Sequence, residues 1–339
     1  MRTLAIHHCH SRPPRIKSEH MKRITTSLFA LITLVSSTAF AAELKYSNVP
    51  NFFDKVPGEQ PLGACHGGTV IDKAGNIYVT TDTPRGILVF SAEGKFQRAF
   101  GPSKIHGLEI REEGGVEVIY GARPSAHEVI KLKLDGTQEW SLKYPEESAV
   151  CKDANGFNPC AVTVGPAGEI FVADGYGSNH IFKFDKDRKF VKAFGSAGAE
   201  EGKFNTCHGI ALDTRGEKPL LFVCNRNNNR VEHWDLDGNF VKVLQKDLRM
   251  PAAVHIRGDN AVIPELQGRV TVLDKTGAIV AQVGDNPDGK QRANYGLPAD
   301  KWQDGITNSP HGASIDKDGN LIVAEWSAFG HLHKFLLAK

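Results

Sequence analysis

The feature that most constrains this chain is that it repeats itself. Six stretches share one pattern: "CHGGTVIDKAGNIYVTTD" (65–82), "IHGLEIREEGGVEVIYGA" (105–122), "PCAVTVGPAGEIFVADGY" (159–176), "CHGIALDTRGEKPLLFVCNR" (207–226), "PAAVHIRGDNAVIPEL" (251–266) and "PHGASIDKDGNLIVAEW" (310–326). Each opens with a short apolar strand, turns at Gly or Asp, and continues into a second strand. Third and fourth strands follow in most units, as at 180–185 and 190–195, or 230–235 and 240–245. Four short strands per unit at a spacing of about 49 residues is the signature of propeller blades. No helical periodicity competes over a comparable length. The expected fold is all-β: a six-bladed propeller. The last unit runs out of chain after three strands, and "LKYSNV" (44–49) is placed to supply the fourth and close the ring. Longer insertions at 141–158 and 284–309 are expected to rim one mouth of the channel.

The N-terminus is read apart from the repeat. From Met21 the chain runs through basic Lys22 and Arg23, an apolar stretch at 28–35 and Ala39-Phe40-Ala41. That is a secretory leader cut after Ala41, with 1–20 an upstream mis-start and 42–339 a single propeller domain. The "HHCH" tract at 7–10 then has no part in the mature protein. The expected location is periplasmic or secreted. Removing residues 1–41 takes away six Lys/Arg and one Asp/Glu and turns the net charge from +2 to −3. Nothing in that balance suggests nucleic acid. No later apolar run is long enough to span a membrane, and a monomer is expected. Export permits disulfides. Cys151 and Cys160 bracket a polar loop and are the best candidate pair, Cys207 and Cys224 are a second candidate, and Cys65 is left over.

The first strand of a blade lines the channel. The residues entering that strand are His66, His106, Cys160, His208, Ala252 and His311. Four histidines in six equivalent positions is far above what composition supplies. Units two, four and six place His106, His208 and His311 about 120° apart around the axis, which is how three imidazoles converge on a catalytic metal. His66 is a fourth ligand or a neighbour that orients the others. Imidazole suits Zn, Cu, Ni or Fe, so the pattern names a class of divalent transition metal. At the end of the second strand, aligned positions hold Arg123, Tyr176 and Arg226, with Glu265, Glu325 and Asp82 nearby. Arginines bind a carboxylate in a two-point grip and a tyrosine moves a proton.

The stretches at 160–184, 207–234 and 310–326 resemble NHL-repeat propellers, and most of all the peptidyl-α-hydroxyglycine α-amidating lyases. The resemblance implies a six-bladed propeller with a catalytic zinc on His106, His208 and His311. It implies a catalytic tyrosine at Tyr176, in "DGY", and an arginine at Arg226, in "NRNNNR". The family's first-blade arginine has only Arg85 to match it, a few residues late, and Arg123 is a substitute from the next blade. The family's structural calcium uses an Asp after the last histidine; Gly312 stands there, which counts against calcium. Three readings follow. The first is a metal-dependent lyase that breaks a C–N bond in a small-molecule or peptide substrate, with Tyr176 acting as a phenolate made accessible by the positive charge around it. The second is a non-catalytic secreted binding or scaffold propeller. The third is a lactonase-type hydrolase built on acids such as Glu265 and Glu325.

Overall fold

A computed structural model describes residues 43–58 and 61–339; the expected leader at 21–41, the stretch 1–20 expected to lie upstream of it and the histidine tract at 7–10 lie outside the described residues. Six four-stranded antiparallel sheets form the six blades. Helix among the described residues is limited to short 3-10 turns, and none is long and apolar enough to cross a membrane. Blade 4 is typical: Cys207–Asp213, Leu220–Asn225, Arg230–Trp234 and Phe240–Gln245, each paired with the next. Blade 6 combines Pro310–Ile315, Leu321–Glu325 and His331–Leu337 with Tyr46–Asn48, which pairs antiparallel with the last strand. The ring closes through that N-terminal strand, as the repeat pattern requires.

Six apolar clusters lie between the six neighbouring pairs of blades. Each second strand is therefore buried on both faces and alternates its side chains between two interfaces. Leu221 and Val223 pack toward blade 3, while Phe222 and Cys224 pack toward blade 5. This alternation corrects the disulfide expectation. Cys207 joins the cluster on the blade 3 side and Cys224 the one on the blade 5 side, so the two thiols face opposite ways. Cys151 and Cys160 are free as well, as is Cys65.

The hairpins between first and second strands, and between third and fourth, reuse one turn. In the former, Asp72 and Asp316 accept the amides of Asn76 and Asn320, at 2.7 and 2.9 Å. In the latter, Asp235 accepts the amide of Asn239 at 2.8 Å. The glycine before each asparagine takes a positive φ of 82–91°, open to it at no steric cost. That is the physical basis of the D-x-x-G-N rhythm in the sequence.

Candidate metal centre and active site

At the axis, chain approaches chain closely. The residue after each blade entry is Gly67, Gly107, Ala161, Gly209, Ala253 or Gly312. A Cβ on Gly209 would sit 2.7 Å from Ala253 Cα, and one on Gly312 would sit 3.0 Å from Gly67 O. Small residues thus let the six first strands converge, and convergence brings the preceding side chains together. The rings of His106, His208 and His311 form a near-equilateral triangle, with centroids 4.6, 4.8 and 5.0 Å apart. His66 lies beside His106 and His311 at 5.1 and 5.4 Å. Its nitrogen and theirs all fall within 4.8 Å of one another. The four imidazoles are one cluster.

Their orientation follows from what the outer nitrogens meet. His106 Nδ1 is 2.7 Å from the Cys160 carbonyl, and His208 Nδ1 is 2.5 Å from the Ala252 carbonyl. Each histidine thus leans on the entry residue of the next blade. A carbonyl only accepts, so Nδ1 carries the proton and Nε2 carries a lone pair. His66 Nδ1 meets Asp82 at 2.8–2.9 Å. His311 Nδ1 is buried without a hydrogen-bond partner. Burial, reinforced by neighbouring imidazoles and the Arg226 charge, holds His106, His208 and His311 well below the usual histidine range, so they are neutral.

Tyr176 completes the centre. Its hydroxyl is 3.2 Å from His106 Nε2 and 2.9 Å from His208 Nε2. Arg226 donates to the same oxygen at 3.1 Å, its guanidinium 5.3 Å from the tyrosine ring. Two imidazole lone pairs thus face a hydroxyl that has one proton. Neutral imidazoles brought together at one point, two of them with their outer nitrogens fixed by carbonyls, fit a transition metal of the zinc class. His106, His208 and His311 would hold it, with His66 beside them.

The loop that carries Tyr176 is held by a residue the sequence reading passed over. Buried Asp174 accepts the amides of Asn158 and Ser178 at 2.5 and 2.7 Å and the Ser178 hydroxyl at 2.6 Å. The same device recurs in the next three blades. Asn225 takes the Asn205 amide at 2.9 Å, Glu265 the Arg249 amide, and Glu325 the amides of Asn308 and Ser309. In these four blades the polar residue at the end of the second strand thus ties down the loop that delivers its own blade's entry residue. This overturns the placement of Glu265 and Glu325 at the active site. They cap loops one position earlier than the residues that face the channel mouth. Glu265 is further engaged by Arg269 and Thr271.

Three other expectations change. Arg123 does not reach the histidines: it is paired across the strands with Glu128, which also binds Lys143 at 2.7 Å. Arg85 bonds Thr83 and the carbonyls of Pro61 and Leu62. Tyr176 is not poised as a phenolate. Burial, with the nearby Cys160 thiol, pushes it up to about 12, against the pull of Arg226. Conversely, Trp326 was missed. It follows the Glu325 cap, lies 5.7 Å from His66, and packs against Tyr295 of the long 284–309 insertion at 4.8 Å. A cavity of about 440 Å3, lined by His66, Asp82, Lys104, His106, Asn158 and Tyr176, opens at this mouth.

No protein-family model matches the chain. In sequence it is 29% identical over 160 residues to the human NHL repeat-containing protein 3, covering 44% of this chain and 45% of that protein. It is 24% identical over 250 residues to a probable peptidyl-alpha-hydroxyglycine alpha-amidating lyase of Caenorhabditis elegans, covering 70% of this chain and 67% of the relative. A solved streptogramin B lyase superposes with a TM-score of 0.57 at 16% identity, over 87% of this chain and 98% of that one, which speaks for the shared fold. The chain is a six-bladed β-propeller similar to NHL-repeat proteins and, more distantly, to the amidating lyases.

Proposed function

We propose that this protein is an exported, metal-dependent lyase that cleaves the C–N bond of a small N-acyl-α-hydroxyglycine or a closely related α-hydroxy-amide bearing a carboxylate. The observation that carries the reading is the convergence on one point of His106 and His208 Nε2, the Tyr176 hydroxyl and the Arg226 guanidinium, with His311 alongside. A zinc-class ion, when bound, supplies Lewis-acid polarisation of the substrate's oxygen atoms.

The protein's own groups divide the remaining work. Arg226 is exposed on one side and grips the substrate carboxylate, as a planar guanidinium does. Tyr176, hydrogen-bonded to His208, relays the proton of the substrate hydroxyl. The hydroxyl oxygen forms the new C=O as the C–N bond breaks, and the departing nitrogen receives the proton. The products are an amide and glyoxylate. The His66–Asp82 pair fixes the His66 ring at the cavity wall. Lys104 lines the cavity and Arg226 reaches the Tyr176 hydroxyl on its wall, while Trp326, packed against Tyr295, flanks His66.

The test is direct. Zinc-loaded protein is given N-benzoyl-α-hydroxyglycine and glyoxylate is measured. Turnover that exceeds the spontaneous rate and is lost in His208→Ala supports the reading. Metal-loaded protein with no turnover on any N-acyl-α-hydroxyglycine, yet retaining ligands in the cavity, returns it to the non-catalytic binding propeller. Sequencing the N-terminus of secreted protein checks export, with Ala42 expected first.

A further inference from the structure

A second group of imidazoles lies in blade 6, apart from the channel cluster. His331 and His333 are two apart on one strand and so share a face. Their rings are 4.1 Å apart. Glu325 pairs directly opposite His331 in the neighbouring strand, and its carboxylate is 2.6 Å from His333 Nε2. Donor atoms of all three lie within 4.8 Å of one another.

Comparison with blade 5 shows what is unusual here. There the equivalent cap, Glu265, faces Arg269 across the strands and is held by a two-point guanidinium grip at 2.7–2.8 Å. A fixed positive charge balances a fully buried carboxylate. In blade 6 the arginine position is His331 and the Thr271 position is His333. Glu325 is equally buried, yet no arginine or lysine pairs with it among the described residues. Two good metal ligands stand where the fixed cation should be. Several polar atoms around the carboxylate also go unsatisfied: His331 Nδ1, Asn308 Nδ2 and Ser309 Oγ are buried without partners. The Trp302 ring lies flat on His331, with centroids 4.5 Å apart and planes at 9°. It covers the site from the insertion side.

We propose that Glu325, His331 and His333 form a second metal site for a borderline divalent cation such as Zn2+, separate from the channel centre. Two imidazoles and a carboxylate are a zinc-class donor set rather than a calcium or magnesium one. The cation takes the role that Arg269 plays in blade 5. It shares the Glu325 carboxylate with the amides of Asn308 and Ser309, so it tethers the end of the 284–309 insertion that delivers His311. Its function is structural: it braces the loop beside the channel mouth.

The experiment uses chelator-stripped full-length mature protein titrated with Zn2+ alone. His331 is only half-buried, so His331→Gln is the informative variant; it leaves the Glu325–His333 contact in place. Wild type is expected to bind one more equivalent of Zn2+ than His331→Gln, and one more than His208→Ala, with both losses combined in the double variant. In a Trp326→Phe background, Ni2+ is expected to quench Trp302 fluorescence, and the quench is expected to weaken at least tenfold in apparent affinity when His331→Gln is added. If His331→Gln binds the same amount of Zn2+ as wild type and the Trp302 signal ignores Ni2+, the proposal is overturned and Glu325 is held by its hydrogen bonds with His333 and the loop amides alone.

Discussion

Tyr176 Oη lies 2.9 Å from His208 Nε2, and His208 Nδ1 is committed to the Ala252 carbonyl. The tyrosine therefore touches the lone pair that a metal would use. Removing only the hydroxyl separates chemistry from metal binding. Tyr176→Phe is expected to lower kcat by about 100-fold or more, the ordinary worth of a positioned proton-transfer group. Its zinc content should stay at the wild-type level. A variant that loses zinc and activity together would make Tyr176 part of the ligand set instead.

Arg226 and Arg123 make a matched pair, because the sequence offered both and the structure separates them. Arg226 donates to Tyr176 at 3.1 Å, whereas Arg123 is spent on Glu128. Arg226→Lys keeps the charge but loses the planar fork. It is expected to raise KM for carboxylate-bearing substrates about tenfold, roughly 1.4 kcal/mol. Arg123→Lys is expected to leave KM within about twofold, since its partner is a structural carboxylate. Equal effects in the two variants would contradict this division.

The blade count, the ring closure and the entry histidines were legible because they are written as repeats. Backbone turn chemistry and alternating burial force the same residue types at the same offsets in every unit. What was not legible depends on direction rather than on spacing. Glu265 and Glu325 align with Arg226 to within one residue, yet that one residue turns a side chain from the channel mouth to the loop amides behind it. Cys207 and Cys224 sit on adjacent strands but on opposite faces. Tyr176 carries a motif, whereas Asp174, which holds its loop, is visible only once its hydrogen bonds are traced. Trp326 belongs to no motif, and its place near His66 comes from the fold alone.

The glycines that follow the channel histidines offer a test of geometry without chemistry. Gly209 has no room for a side chain: Ala253 Cα and Ala252 O lie 2.7 and 3.0 Å from where Cβ would stand, and both are backbone. Ala252 O is also the anchor of His208 Nδ1. Gly209→Ala must therefore push blade 5 outward or tilt His208. It is expected to destabilise by about 1–3 kcal/mol, as overpacking does, and to weaken zinc binding about 10-fold or more through the lost anchor. Zinc titration of protein shown folded by circular dichroism checks this. Unchanged zinc affinity would mean that the carbonyl anchor is dispensable.

Asp213, at the end of the first strand of blade 4, ties stability to pH away from the channel. Its buried carboxylate is held by Arg215 through Nε at 2.9 Å and Nη2 at 2.7 Å, and by His233 at 3.0 Å. Burial alone would raise its pKa. The hydrogen bonds from Arg215 and His233 and the Arg215 amide outweigh that and hold it far below the usual aspartate range. A carboxyl depressed in the folded state contributes stability that is fully present above its unfolded pKa of about 4 and is lost as pH falls below it. Wild-type protein is therefore expected to lose about 2–3 kcal/mol of unfolding free energy from this group as pH drops from about 5 toward 2. Asp213→Asn removes the charge but not the shape. It should cost about 3 kcal/mol at neutral pH, because Arg215 is left buried without its counter-ion. The gap between the two proteins should then close as the solution becomes acidic. Urea unfolding at a series of pH values measures it, and a gap that stays constant down to pH 2 would show that the Asp213 charge contributes nothing to the fold.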